Sequence, residues 1–238
     1  MAVKLHDFVA IDFLGKVKET GEVFDITKED DAKKHQLHNP KNAYQPLTIC
    51  VGERHVVEGL DEFLVGKESE KEYTIALPAE KAFGKRDPKL LRLVPLSTFN
   101  EHKIRPEPGL HINLDGMIAT VRSVSGGRVI LDFNHPLAGK EIEYQFTVKS
   151  VVTDTKEKLK ALITFLMPGL PYELEGNALH VNAEFPEQIQ TMLKEKITQL
   201  IPEITDITYK AADAKDKKAD AGLQKKRKQK SATNVTKV

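Results

Sequence analysis

Cysteine occurs once in the 238 residues, at Cys50. A single thiol excludes an intrachain disulfide and makes a reducing compartment, the cytoplasm, the natural home. Cys50 stands inside Leu47-Thr48-Ile49-Cys50-Val51, a strand-like stretch, so it reads as a small buried hydrophobe rather than a nucleophile. No apolar run approaches the roughly 20 residues that a membrane-spanning helix needs. The opening Met-Ala-Val-Lys-Leu-His-Asp has none of the long apolar core of a signal peptide. A Gly-rich phosphate loop, a Cys-x-x-Cys pair and a Gly-x-Ser-x-Gly elbow are all missing, which removes the commonest nucleotide, redox and acyl-transfer chemistries. The eight histidines are scattered. His35 and His38 fall in a polar stretch and read as solvated side chains, with metal binding as the alternative, and His135, just before Pro136, reads as a turn residue. No internal repeat points to a solenoid.

What is present suits a folded chain. Hydrophobic residues make up 40% and charged residues 30%, enough for a core under a well-solvated surface, in one large domain or two to three smaller ones. The net charge of +1 is unevenly spread. Residues 210–238 hold ten Lys or Arg against Asp213, Asp216 and Asp220, a net +7 that leaves −6 on residues 1–209.

Periodicity divides the chain further. Val9, Ile11 and Phe13 share one side of an extended stretch, and Glu19-Thr20-Gly21-Glu22 is turn chemistry between two strands. Residues 28–46 are polar, carry Pro40 and Pro46, and read as a long surface loop. Val56, Val57, Leu60, Phe63 and Leu64 recur at helical spacing, with Gly66 as the stop. Strands follow at Tyr73–Leu77 and at 142–148, where Ile142, Tyr144, Phe146 and Val148 alternate with polar residues. Between them, short strands at 110–114, 117–124 and 128–133 are separated by Asp115-Gly116 and Ser125-Gly126-Gly127, both suited to tight hairpins. Residues 95–108 read as connecting loop. The pattern is a small β-rich unit inserted into a larger one. Beyond Val152 the order is α-β-α-β. One helix spans 155–167 with Leu159, Leu162, Ile163 and Leu166 on a stripe, and a strand carries Leu179, Val181 and Ala183. A second helix, opened by Pro186, carries Ile189, Met192, Leu193, Ile197 and Leu200, and a last strand holds Ile204, Ile207 and Tyr209.

Four motifs, in order, carry a resemblance to a known family. Phe13-Leu14-Gly15 is similar to the Tyr-x-Gly of the FKBP-type peptidyl-prolyl isomerases, and Val23-Phe24-Asp25 to their Phe-Asp pair. Residues 51–61, Val-Gly-Glu-Arg-His-Val-Val-Glu-Gly-Leu-Asp, resemble the segment where a strand turns into the family's short helix. Residues 73–84 resemble the strand and loop that follow. Asn134-His135-Pro136-Leu137-Ala138-Gly139-Lys140 resembles the hinge of the SlyD branch, in which an insert-in-flap domain replaces the flap. The resemblance spans about residues 3–152, and the part after 153 resembles the extension of long archaeal-type members. It implies an α+β fold: an antiparallel half-barrel sheet wrapped on a short helix, an inserted small β subdomain and a C-terminal α/β unit. The implied domains are 1–84 with 136–152, 85–135, 153–210, and a basic disordered tail at 211–238.

The implied activity is isomerisation of X-Pro bonds. Such bonds prefer trans by only about 0.5–1 kcal/mol yet interconvert slowly across a barrier of roughly 18–20 kcal/mol. No nucleophile, cofactor or metal is needed, only an apolar pocket that favours the twisted amide over the planar one. By resemblance the pocket is lined by Phe13, Phe24, Asp25, Leu47, Val56, Val57, Leu60, Phe83 and Tyr144. Val57 would form a shelf and offer its backbone N–H to a client carbonyl, and Leu60 takes the place of the aromatic floor. Phe13 and Phe83 stand where the family usually has Tyr, and each swap removes a hydroxyl able to bond Asp25 or the substrate, about 0.5–1.5 kcal/mol apiece.

The inserted unit, with Ile104, Leu110, Ile112, Met117, Ile118, Val121, Val129 and Ile130, would by the same resemblance hold unfolded clients; the alternative is that these residues form its own core. Lys225-Lys226-Arg227-Lys228-Gln229-Lys230 can bind RNA, ribosomes or other anionic surfaces by charge, though no aromatic is interleaved for base stacking. The tail lacks the His and Cys of SlyD tails, so nickel handling is not implied. Three functions follow: an isomerase with chaperone action on proline-containing or unfolded clients, a holdase with little isomerase activity, and a ribosome- or RNA-associated adaptor. The C-terminal unit, short for an independent fold, is expected to form a homodimer through 153–210.

Overall fold

Alternation of Ile142, Tyr144, Phe146 and Val148 with polar neighbours builds a strand whose apolar side is buried throughout. In the computed structural model, which describes residues 2–114 and 116–210, this strand is β9 (Ile142–Val151). It lies between β1 (Phe8–Val17) and β4 (Glu72–Leu77), with β2 (Val23–Ile26) beyond β1 and β3 (Leu47–Cys50) also paired to β1. The fold is α+β, with mostly antiparallel strand pairing and few helices.

Two compact units divide the chain. One comprises Met1–Lys4, Ile11–Leu47 and Val56–Ser150. The other comprises Leu5–Ala10, Thr48–His55 and, among the described residues, those from Val151 onward.

In the first unit α2 (Glu58–Leu64) buries Leu60 and Leu64. Its Phe63 meets Phe146 of β9 edge to face, and Phe146 stacks in turn on Tyr73 of β4. The helix starts two residues later than the apolar spacing suggests, because Val57 stays extended and caps it. The stretch 28–46 is not all loop. Glu29–Lys34 forms α1, with three acids in its first turn and two lysines in its last, a distribution that suits the helix dipole.

A second sheet in this unit has the order β5-β8-β7-β6, from β5 (Leu91–Pro95), β6 (His111–Leu114), β7 (Met117–Ser125) and β8 (Arg128–Asp132). Gly126 and Gly127, at φ +57° and +72°, make the β7–β8 turn, a conformation that costs glycine little. Residues 95–108 also depart from the loop reading, since Leu96–Glu101 forms α3 (a six-residue helix) and buries Phe99 against Ile112, Val121, Val129 and Leu131. Pro95 sits before the helix and Pro106 and Pro108 after it, so none interrupts it.

The second unit contains α4 (Thr155–Leu166), β10 (Tyr172–Glu175), β11 (Ala178–Val181), α5 (Glu187–Leu200) and β12 (Asp206–Tyr209). Asp154 caps α4 by accepting from the Glu157 N–H at 2.9 Å. The order is α-β-β-α-β rather than α-β-α-β. The extra strand β10 pairs antiparallel with β11 across Gly176-Asn177, and β11 pairs parallel with β12. The strand ends at Val181, short of Ala183. Leu159, Leu162, Leu179, Val181, Ile197 and Leu200 form the core, together with Phe8 and Cys50. Leu166 and Met192 are exposed instead of buried, Met192 by 65%. They line a groove of 460 Å³ with Met167, Ile189 and Leu193.

No helix among the described residues is long and apolar enough to cross a membrane. The basic tail, 211–238, lies outside the described residues.

Candidate functional site: an aromatic pocket at the β1–β2 hairpin

Register brings the aromatic residues together. In the β1–β2 pair Gly15 faces Asp25 and Leu14 faces Ile26, which sets Phe13 and Phe24 near Tyr144 of β9. The Phe13 and Tyr144 ring centroids are 5.8 Å apart at 73°, and those of Phe24 and Tyr144 are 5.9 Å apart at 85°. Phe83, just past a 3₁₀ turn at Ala79–Lys81, meets Phe24 at 5.6 Å and 85°. Each is an edge-to-face contact, which the ring quadrupoles favour.

The missing side chain of Gly15 lets the Phe24 and Tyr144 rings lie close against the β1 backbone. A β-carbon there would stand 2.7 Å from Phe24 Cζ and 2.9 Å from Tyr144 Cε1. Val56 and Val57 lead half-buried into α2, and the Val57 carbonyl accepts from the Leu60 and Asp61 N–H groups at 3.0 Å each. Leu60 is buried, and half-buried Leu47 opens β3. Lys81 ties the 3₁₀ turn to α2 through Glu62 at 2.9 Å and Glu58 at 3.6 Å.

Two titratable groups of the cluster, Asp25 and Tyr144, are desolvated. Asp25 keeps an exposed surface, but the apolar surroundings push its carboxyl above the usual range, while a hydrogen bond from the Ile26 backbone pulls it partly back. Burial holds the Tyr144 phenol well above its ordinary value, and the nearby Asp25 carboxylate adds to the effect. Among the described residues no group of three or more His, Cys, Asp or Glu is placed to hold a metal ion.

Sequence reasoning missed the lock where the second sheet joins. The Arg86 guanidinium pairs with the buried Asp132 carboxylate. Asn134 Oδ1 accepts from the Asp87 N–H at 2.8 Å, and its amide donates to the Asp87 carbonyl at 3.0 Å and to Asp132 Oδ1 at 2.8 Å. Gly139 N–H donates to the Gly84 carbonyl at 2.8 Å. His135 makes the expected turn: its Nδ1 accepts from Leu137 N–H at 3.2 Å and its carbonyl from Ala138 N–H at 2.9 Å. Its ring also lies flat on Phe83, with centroids 4.7 Å apart and planes 1° from parallel. The Asn-His-Pro-Leu-Ala-Gly run pointed to this hinge, but nothing in it indicates the stack.

A short helix against an antiparallel sheet, with aromatic rings from three strands and a loop around one acid, defines an FKBP-like α+β protein. A model of the FKBP-type peptidyl-prolyl cis-trans isomerase family matches residues 1–98, and one described as FKBP26, IF domain, matches residues 92–137. The chain is 34% identical over 149 residues to a short-type peptidyl-prolyl cis-trans isomerase of Methanocaldococcus jannaschii, covering 63% of this chain and 94% of the relative. It is 30% identical over 121 residues to the FKBP-type isomerase SlyD of Treponema pallidum, covering 49% and 68%. It is 29% identical over 116 residues to an FKBP-type 16 kDa peptidyl-prolyl cis-trans isomerase of Escherichia coli, covering 47% and 77%. The chain belongs to the FKBP-type peptidyl-prolyl cis-trans isomerases, enzymes that interconvert the two forms of X-Pro bonds.

Proposed function

We propose that the ring cluster of Phe13, Phe24, Phe83 and Tyr144 receives the prolyl ring of a client, with Leu47, Val56, Val57 and Leu60 completing the apolar wall and Asp25 at its edge. The observation that carries this is the mutual edge-to-face packing of Phe24 with both Tyr144 and Phe83. Twisting an X-Pro amide breaks its resonance and lowers its dipole, so a desolvated pocket binds the twisted form better than either planar one. The Val57 N–H holds the carbonyl of a bound client. Nothing is transferred and no bond is broken.

The second sheet acts as a holding surface for unfolded clients. Val121, Val129 and Ile112 fill its core, Ile130 is half-buried, and Ile104, Leu110, Met117, Ile118 and Leu93 are exposed, Ile118 by 70% and Leu93 by 57%. So much exposed apolar surface on a small sheet suits a binding face. A client held there meets the pocket at an effective concentration in the mM range. The 153–210 unit pairs with a second copy through its exposed groove. Contact with RNA or ribosomes through 225–230 rests on charge, and a reducing cytoplasm on the buried Cys50.

The test compares a short X-Pro peptide with a proline-limited refolding protein. Phe24→Ala and Tyr144→Ala are expected to lower catalysis of both by tenfold or more. Leu93→Ser with Ile118→Ser should leave peptide turnover intact and lower refolding rate and aggregation suppression. Full peptide turnover by both ring variants would move the pocket elsewhere. Weak wild-type catalysis with strong aggregation suppression would make the protein a holdase.

A further inference from the structure

We propose that the second unit sets the position of the Val57 N–H, with His55 and Phe165 as the positioning residues through which it does so. The proposal rests on the role given to that N–H above.

The stretch Thr48–His55 belongs to the second unit, and the chain enters the first at Val56. Three anchors hold its Cys50–His55 turn, all from within the second unit. Cys50 is fully buried in a core shared with Leu159 and Leu162 of α4. The His55 ring lies on half-buried Phe165, also of α4, with centroids 4.1 Å apart and planes 12° from parallel. Its Nδ1 accepts from the Cys50 N–H at 3.1 Å, which closes the turn on itself. Between these two residues Glu53, its side chain 10% exposed, pairs with Lys196 of α5 and lies 3.4 Å from His6. The turn so held is not a relaxed one. Arg54 stands at φ +56°, a region unfavourable to a residue with a β-carbon that persists where the surroundings fix it. Only Val56 separates His55 from Val57, and peptide planes are rigid, so a shift at His55 is passed on to the Val57 N–H. A hydrogen bond weakens steeply away from its best geometry.

Phe165→Leu keeps apolar volume on α4 and removes the stack, whereas Phe165→Tyr keeps the ring. On a short X-Pro peptide Phe165→Leu is expected to raise KM about threefold to tenfold, the effect of one weakened hydrogen bond. A donor that holds the client before and during the twist is uniform binding, so kcat should stay within about twofold of the wild type. Phe165→Tyr should keep a KM close to that of the wild type. Val57→Pro removes the N–H at a residue whose φ of −59° a proline adopts. In that background Phe165→Leu should raise KM no further, because both changes act on one hydrogen bond. An unchanged KM in Phe165→Leu overturns the proposal, as does an equal rise in Phe165→Tyr, or effects of Phe165→Leu and Val57→Pro that multiply. If Phe165→Leu does not melt cooperatively, Lys196→Met takes its place, freeing Glu53 from α5. Its expected rise in KM is about threefold, and a wild-type KM again overturns the proposal. A wild-type KM in Val57→Pro alone means that the N–H has no role, and the reading of the pocket fails there. A raised KM in Val57→Pro beside a normal Phe165→Leu means that only the link to the second unit fails.

Discussion

Gly15 and Phe24 are so close that a β-carbon on Gly15 would stand 2.7 Å from Phe24 Cζ, and the ring would have to move to admit it. The obstructing atom is the far end of a ring, which can swing away, whereas the strand backbone cannot.

Gly15→Ala is therefore expected to be a defect of catalysis more than of folding. Displacing Phe24 also breaks its edge contacts with Tyr144 and Phe83, worth roughly 0.5–1.5 kcal/mol each. Peptide isomerisation should fall about tenfold, and the urea midpoint should drop by what a loss of about 1–3 kcal/mol implies while the unfolding transition stays cooperative. Normal turnover by Gly15→Ala would show that the position of the Phe24 ring does not matter to the reaction.

Asp25 makes stability depend on pH in a definite direction. Its carboxyl is held above the ordinary 3.8 chiefly by burial, so the folded protein binds that proton more tightly than the unfolded chain. The group favours folding at acid pH, and that contribution is lost as pH rises from about 3.8 through the folded value. Asp25→Asn removes the dependence. The melting temperature of the variant relative to wild type should be higher at pH 7 than at pH 3, and an equal offset at both pH values would contradict the desolvation of Asp25.

The groove lined by Leu166, Met167, Ile189, Met192 and Leu193 bears on oligomeric state. The stretch 153–210 shares its compact unit only with Leu5–Ala10 and Thr48–His55, a small unit in which the buried fraction of surface is low and stability modest. A second copy covering the groove would remedy that. Sedimentation at micromolar concentration is expected to give a dimer for the wild type and a monomer for Met192→Lys, both with the same circular dichroism. A wild-type monomer at that concentration removes the dimer from the functional reading.

Much of the architecture was legible in the chain because burial on one face writes a period into it. The alternation at 142–148 is β9, the helical spacing at 56–64 is α2, and the Gly-Gly pair at 126–127 is the β7–β8 turn. Elements whose order comes from charge placement or from a neighbour's pairing carry no such period. Six-residue α1 is largely a run of acids followed by lysines, α3 buries one phenylalanine, and four-residue β10 is drawn into the sheet by β11. Leu166 and Met192 fit the apolar stripes of their helices, yet periodicity reports the side of a helix and not whether anything covers it.

The sequence by itself determined the family, through four ordered motifs, and the residue types proposed for an apolar pocket with one acid. Only the tertiary structure decided that Phe24 stands edge-on to both Tyr144 and Phe83, that Gly15 leaves the space for it, and that His135 lies on Phe83. Those relations join residues far apart in the chain. Distance and ring orientation between such residues follow from strand register and the course of the hinge, and neither leaves a local trace in the order of the amino acids.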